Sequence, residues 1–211
     1  MKKTFVFIFV AALALCAPQL SEAQATKDAK EANKLALQGA EASKNQEWDK
    51  AIELLRKATG LDRKYAPNLA AVYQLRGYAA ATNQQFQDAI SDYSEASKIN
   101  PQDARIYEQR AAVEMKLNET DKALADYSEA IKLKPNEVRY YLYRSYIYET
   151  KGDIKNSMAD TEKILTLDSN NQEAKSRKTR LETRQSMNQP LPPPPPRASS
   201  PKTSPKTSRT P

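Results

Sequence analysis

The apolar residues of this chain return to one helix face, turn after turn. Ala89, Tyr93 and Ala96 fall at i, i+4 and i+7, and Ala123, Tyr127 and Ala130 repeat that spacing. Such spacing places three side chains on one side of an α-helix. Polar and charged residues fill the positions between. Each stretch closes at a proline, Pro101 or Pro135. Proline has no place in a helix interior, so both mark points where the chain turns. "LNETD" (117–121) and "KGD" (151–153) predict tight turns between helices, with Asp153 as an N-cap. Only four glycines are present, and the frequent Ala, Glu, Lys, Leu and Gln favour helix over sheet.

The two apolar faces belong to near-copies of one phrase. Residues 92–107 match residues 126–141 at nine of sixteen positions, at an offset of 34. A catalytic motif has little reason to recur at a fixed period, whereas a packing unit must meet its neighbour the same way each time. Extending the frame gives units at 32–65, 70–103, 104–137 and 138–171, with four extra residues, 66–69, at the first junction. This pattern resembles the tetratricopeptide repeat, a helix–turn–helix unit. The resemblance rests on an early bulky residue (Leu35, Tyr73, Tyr107, Tyr141) and a small one four later (Gly39, Gly77, Ala111, Ser145). In the second helix it rests on small residues (Ala51, Ala89, Ala123, Ser157), then Leu55, Tyr93 and Tyr127, then Ala58, Ala96 and Ala130, and on the closing prolines. The fourth unit is the weakest match, with Thr161, Ile164 and Ser169 at its last three marker positions. The resemblance implies an all-α, right-handed superhelical solenoid of about four units. Residues 172–189 then read as a polar C-terminal helix that caps and solvates the end, with Leu181 as a sparse apolar contact.

The same resemblance implies a concave groove lined by the first helix of each pair. Its expected residues are Asn33, Ala36, Ala40 and Ser43, then Ala71, Gln74, Tyr78 and Ala81, then Arg105, Glu108, Ala112 and Met115, then Arg139, Leu142, Tyr146 and Glu149. Gln74, Tyr78, Arg105, Glu108, Met115, Arg139, Leu142 and Tyr146 are the candidate partner-binding residues. Arginine suits a carboxylate or a peptide carbonyl, and Tyr and Met suit an apolar side chain. Alternatively, Arg105 and Arg139 pair with Glu108, Glu137 or Glu149 and bind nothing. Some relatives clamp a C-terminal carboxylate with lysines and asparagines. Here Ala36 and Ala40 stand where the first such pair would be, so that activity is not implied. In "YYLYRSYIY" (140–148), Tyr141 and Tyr148 are expected in the core, with Tyr140, Tyr143 or Tyr146 partly exposed.

Charge and the two ends of the chain complete the reading. Of the net +7, residues 172–211 hold nine basic and two acidic groups, while residues 24–171 hold 22 and 23. The basic character therefore belongs to the C-terminal end. "MKK", an apolar run over 5–17, and the small-residue patterns ending at Ala23 and Ala25 predict a secretory signal peptide over residues 1–25. The alternative of an uncleaved anchor is weakened by the length of the run, which is short for a span of roughly 20 residues. Cys16 is the only cysteine and there is no histidine. The exported chain would then lack thiol nucleophiles, disulfides, Cys/His zinc sites and a Ser-His-Asp triad. No catalytic residue, cofactor or metal is expected. From residue 190 the chain reads "PLPPPPPR", a polyproline II run, then a basic, polar segment expected to be disordered. It carries no aromatic residues to stack on bases, so no specific nucleic-acid binding is expected. The sequence thus predicts an exported scaffold or adaptor, periplasmic or secreted from a bacterial envelope, without a transmembrane span after cleavage. It would bind a peptide or protein in the groove. The alternative is an envelope tether whose basic tail makes weak contact with anionic polymer, lipid headgroups or another protein.

Overall fold

The computed structural model describes the backbone of residues 4–187 and the side chains of residue 22 and residues 24–187. The other side chains of the expected leader and all of the tail, 190–211, lie outside the described residues. Among the described residues nine α-helices follow one another: α1 (Thr4–Lys44), α2 (Trp48–Leu61), α3 (Ala66–Thr82), α4 (Phe86–Ile99), α5 (Ala104–Lys116), α6 (Thr120–Leu133), α7 (Val138–Thr150), α8 (Ile154–Leu167) and α9 (Gln172–Met187). A 3-10 turn, Arg63–Tyr65, precedes α3. Among the described residues there is no strand. The helices pair as hairpins, α1 with α2, α3 with α4, α5 with α6 and α7 with α8, and each hairpin packs on the next. The result is an all-α, right-handed solenoid closed by α9. Among the described residues, no helix is long and apolar enough to cross a membrane.

Small residues bring the paired helices together. Ala51, Ala89, Ala111, Ala123, Ser145 and Ser157 are fully buried. A Cβ placed on Gly39 would lie 2.7 Å from Leu55 Cγ, and one on Gly77 would lie 3.2 Å from Asp92 Cβ. Ala123 packs with Ala111, Tyr127 and Ile147 at such an approach. Replacing Ala123 by leucine is expected to overpack that contact and cost about 1–3 kcal/mol, measured as a lower urea midpoint. An unchanged midpoint would show that this face tolerates bulk and is not tightly packed.

The turn inside each hairpin is also a repeated device. Gln46, Gln84, Asn118 and Gly152 occupy the same place in the four units, and all have left-handed φ, at 61°, 62°, 60° and 77°. Only the last is a glycine, although this region penalises a Cβ. The next residue but one opens the second helix. Before α8 that junction is capped by Asp153, whose side chain accepts from the backbone N–H of Asn156 at 3.1 Å.

A polar ladder, invisible in the apolar pattern, links the units. Arg76, Arg110 and Arg144, spaced by 34, each donate two hydrogen bonds to a carboxylate on the paired helix. The acceptors are Asp92 (2.9 and 2.7 Å), Asp126 (2.7 and 2.8 Å) and Asp160 (2.8 and 2.7 Å), all buried. Forked pairing of this kind is the stronger class of charge-assisted hydrogen bond. The remaining nitrogen of Arg110 reaches Ser94 Oγ in the preceding unit (3.1 Å), and that of Arg144 reaches Ser128 Oγ (3.0 Å). Each arginine therefore ties its own hairpin together and also ties it to the one before. Glu95 and Glu129 only meet Lys98 and Lys132 at the surface.

The extra residues at the first junction, 66–69, are the first turn of α3, with Pro67 in that turn, where its missing N–H costs nothing. Two features depart from the sequence reading. The weakly matching fourth unit packs as the others do, with Ser157, Thr161 and Ile164 fully buried. Tyr140, expected among the exposed rings, is buried against Ala104 and Ala130, and Tyr148 is only half-buried beneath Arg144. The reason is a second buried register that the reading did not use. Val72, Ile106, Tyr140 and Ala174, each 34 apart, are all buried and face the preceding hairpin. Val113, Ile147 and Leu181 form a parallel row.

That second register places α9 as the first helix of a fifth unit would be placed. Besides Ala174 and Leu181 it buries Arg177, which is 1% exposed. Its guanidinium donates to Glu149 Oε2 (3.1 Å), Glu173 Oε1 (2.7 Å), Ser145 Oγ (2.7 Å) and the carbonyl of Leu142 (3.3 Å). Each of its three nitrogens thereby has an acceptor.

Candidate functional site

The concave surface is built from one stripe of each odd-numbered helix, α1 to α9. On α7 the stripe carries Arg139, Leu142 and Tyr146, and on α5 it carries Glu108, Ala112 and Met115. A helix presents residues three and four apart on the same side, so the stripe reads across both elements as a single floor.

A depression of about 560 Å³ opens in that floor between α5 and α7. Ala112, Met115, Leu142 and Ile147 form its base, and Tyr127, Tyr143 and Tyr146 supply its rings. Tyr127 and Tyr143 stack at 5.4 Å between centroids and 19° between planes. Tyr143 is 47% exposed and Tyr146 49% exposed. Lys116 and Arg139 reach it from the rim, and Glu173 closes it on the side of α9.

The candidate residues divide into two groups. Met115, Arg139, Leu142 and Tyr146 meet at this depression. Gln74, Tyr78, Arg105 and Glu108 do not line it. Tyr78 lies on α3, 63% exposed. Gln74 donates to Asp103 Oδ2 at 3.5 Å. Arg105 is folded onto the same carboxylate, at 3.1 and 2.8 Å, while its backbone N–H donates to Asp103 as the cap of α5. That contact with Arg105 holds the Asp103 carboxyl below the usual carboxylate range, against its partial burial. Glu108 pairs with Arg139 at 3.0 Å. Burial pushes the Glu108 carboxyl up, and the charge of Arg139 opposes this. Ala36, expected in the groove, is buried in the core, and Glu149 is committed to Arg177 and Arg180.

The ionic residues of the concave face are thus largely spent on one another. Arg105 has Asp103, Arg139 has Glu108, and Arg180 has Glu149. The depression between them is apolar and aromatic. Such a seat can take apolar side chains or flat rings, with backbone polar groups left toward the open side. It has no pair of free cations placed to clamp a carboxylate. Groove positions alone miss Tyr143, and with it Lys116, Tyr127, Ile147 and Glu173. Tyr143 is the exposed ring among them. It sits one residue beyond Leu142, on the flank facing α6, and its i, i+3 relation to Tyr146 is the signal that could have found it.

Comparison with known proteins agrees with this architecture. An Arabidopsis protein domain, the OM64 TPR domain, superposes at a TM-score of 0.51 and 30% identity, covering 56% of this chain and 98% of that one. A tetratricopeptide repeat protein from Parabacteroides merdae gives a TM-score of 0.57 at 22% identity, over 75% of this chain and 61% of that one. The first TPR of Spaghetti (RPAP3), solved with the HSP90 peptide SRMEEVD, gives 0.52 at 20% identity, over 56% and 93%. No curated protein matches the sequence. The profile described as Tetratricopeptide repeat matches residues 37–104 and 109–171, more than half of the chain. With the period, the hairpin stack and this match in hand, the chain belongs to the tetratricopeptide repeat family.

Proposed function

We propose that this protein is an exported interaction scaffold that holds a peptide or protein segment against the aromatic depression between α5 and α7. One observation carries the reading: Tyr143 and Tyr146 stay about half exposed over an apolar floor, in a protein that buries most of its other tyrosines. Exposed aromatics set in a concavity are the usual anchors of binding energy. A relative of the same fold holds a peptide, and this chain takes its own partner by different chemistry. The alanines at positions 36 and 40 and the self-paired arginines favour an apolar segment over a terminal carboxylate. The protein acts by binding and catalyses nothing. The signal over residues 1–25 sends it to the periplasm or beyond.

Capture from envelope extract tests this reading. The wild-type chain is expected to retain its partner in 0.5 M salt, because apolar contacts are not screened at the corresponding Debye length of about 4–5 Å. Tyr146→Ser is expected to lose at least tenfold in captured material. Capture that ignores Tyr146, fades with salt and disappears when Lys202, Lys206 and Arg209 become serine would instead support the tether. Export is tested by fractionation, with the mature protein expected outside the cytoplasm and shortened at Ala23 or Ala25.

A further inference from the structure

The aromatic depression does not end at α7. Its rim residue Glu173 begins a stripe on α9 that continues the concave face, since residues 173, 176, 180 and 183 stand 34 beyond Arg139, Leu142, Tyr146 and Glu149. Ser176, Thr179, Arg180, Thr183, Arg184 and Met187 line a shallow trough of about 550 Å³ along that helix. The trough therefore leads from Met187, the last described residue, back to the tyrosines. Its walls are short hydroxyl side chains and two arginines, with nothing bulky to block an extended strand.

The segment that follows Met187 suits this track in length and in chemistry. From Met187 back to Glu173 is fourteen residues of helix, or about 21 Å at the α-helical rise. Pro192 and Pro196 lie five and nine residues beyond Met187, which at polyproline II spacing is about 16 and 28 Å. A tail doubling back along α9 thus sets its proline run, 192–196, over the depression. Proline has no N–H to leave unsatisfied on an apolar floor, its rings pack on aromatic faces, and its backbone loses little freedom on docking. The rings offered are those of Tyr143 and Tyr146, and of the ionic residues around them Arg139 and Glu173 are already paired.

We propose that the chain's own proline run occupies the aromatic depression, so that a partner must displace the tail to bind. The proposal rests on the depression being the binding site. Tethering makes it effective: a short linker holds the tail at about millimolar effective concentration, so a weak intrinsic affinity keeps the seat filled.

The test compares two full-length chains, the wild type and a variant with P192S, P193S, P194S, P195S and P196S. The probe is a labelled synthetic peptide of residues 188–200, followed by fluorescence anisotropy. The peptide is expected to bind the serine variant at least tenfold tighter than the wild type, whose seat is filled. Adding Tyr146→Ser, at an exposed position that leaves the core intact, is expected to abolish that binding. Sedimentation should show monomers throughout. Equal affinity for both chains, or binding to neither, overturns the proposal. Wild-type dimers that dissociate in the serine variant also overturn it, because the tail then seats in a second copy. If the proposal fails while envelope capture still depends on Tyr146, the groove function stands. If capture is also indifferent to Tyr146, both fall.

Discussion

Arg177→Ala is expected to release α9 from the end of the stack at a cost of about 3–5 kcal/mol, the range for removing one partner of a buried ion pair. The substitution leaves the buried Glu149 with Arg180 alone, takes one donor each from Ser145 Oγ and the Leu142 carbonyl, and opens a void beneath Leu181 and Ala174. The loss should be local, because repeat stacks open from their ends. Hydrogen exchange is the direct readout: amides of α9 should lose protection while those of α5 and α6 keep theirs. If α9 stays as protected as before, the four hydrogen bonds of Arg177 are not what holds it. The same latch has a pH signature. Hydrogen bonding from Arg180, then from Arg177, keeps the Glu149 carboxyl below the usual carboxylate range, against its burial. A carboxylate depressed in the folded state contributes stability above its ordinary pKa. That contribution is lost as pH falls through the lowered value, so α9 should detach in acid before the central hairpins do.

Glu114→Met is expected to stabilise the protein at pH 8 by up to about 3 kcal/mol and to leave it unchanged at pH 4. Glu114 is 4% exposed on α5, and its Oε2 has no hydrogen-bond partner among the described residues. Burial, reinforced by the charge of Asp126 and partly offset by Arg110, pushes its carboxyl up to about 7. The folded chain therefore holds a proton that the unfolded chain releases near pH 4.5. Between those values stability falls as pH rises, and above about 7 the loss is complete. The other units place Ala42, Ala80 and Tyr148 at this position, so the scaffold does not require a carboxylate there. Methionine keeps the volume without the charge. Urea titrations at the two pH values provide the check. A wild-type midpoint that does not move between them would show that the carboxyl finds water or a cation on ionising.

The fold was legible because it is written four times. A period of 34 with small residues at fixed places specifies both the hairpin and its closest approach. The faces buried against the preceding hairpin were harder to read, because they tolerate unlike residues: Val72, Ile106, Tyr140 and Ala174 share one place and little chemistry. Dense tyrosine at 140–148 obscured this further, since ring count says nothing of which ring faces inward. Arg177 was unreadable for a related reason. In sequence it is one of five basic residues on a polar helix, and only the carboxylates and carbonyl waiting across the interface make its burial possible. In the groove, Met115, Leu142 and Tyr146 could be placed by position alone. The pairing of Arg139 with Glu108 was one alternative the sequence offered, whereas the loss of Arg105 to Asp103 depended on a contact that periodicity does not encode.

The ladder of arginines has a consequence for how such a molecule changes size. Arg144 meets Ser128 as Arg110 meets Ser94, so the junctions on either side of the third hairpin present the same plug and the same socket. Excising residues 104–137, or inserting a second copy of them, would shorten or lengthen the concavity by one whole hairpin with the arginine ladder unbroken.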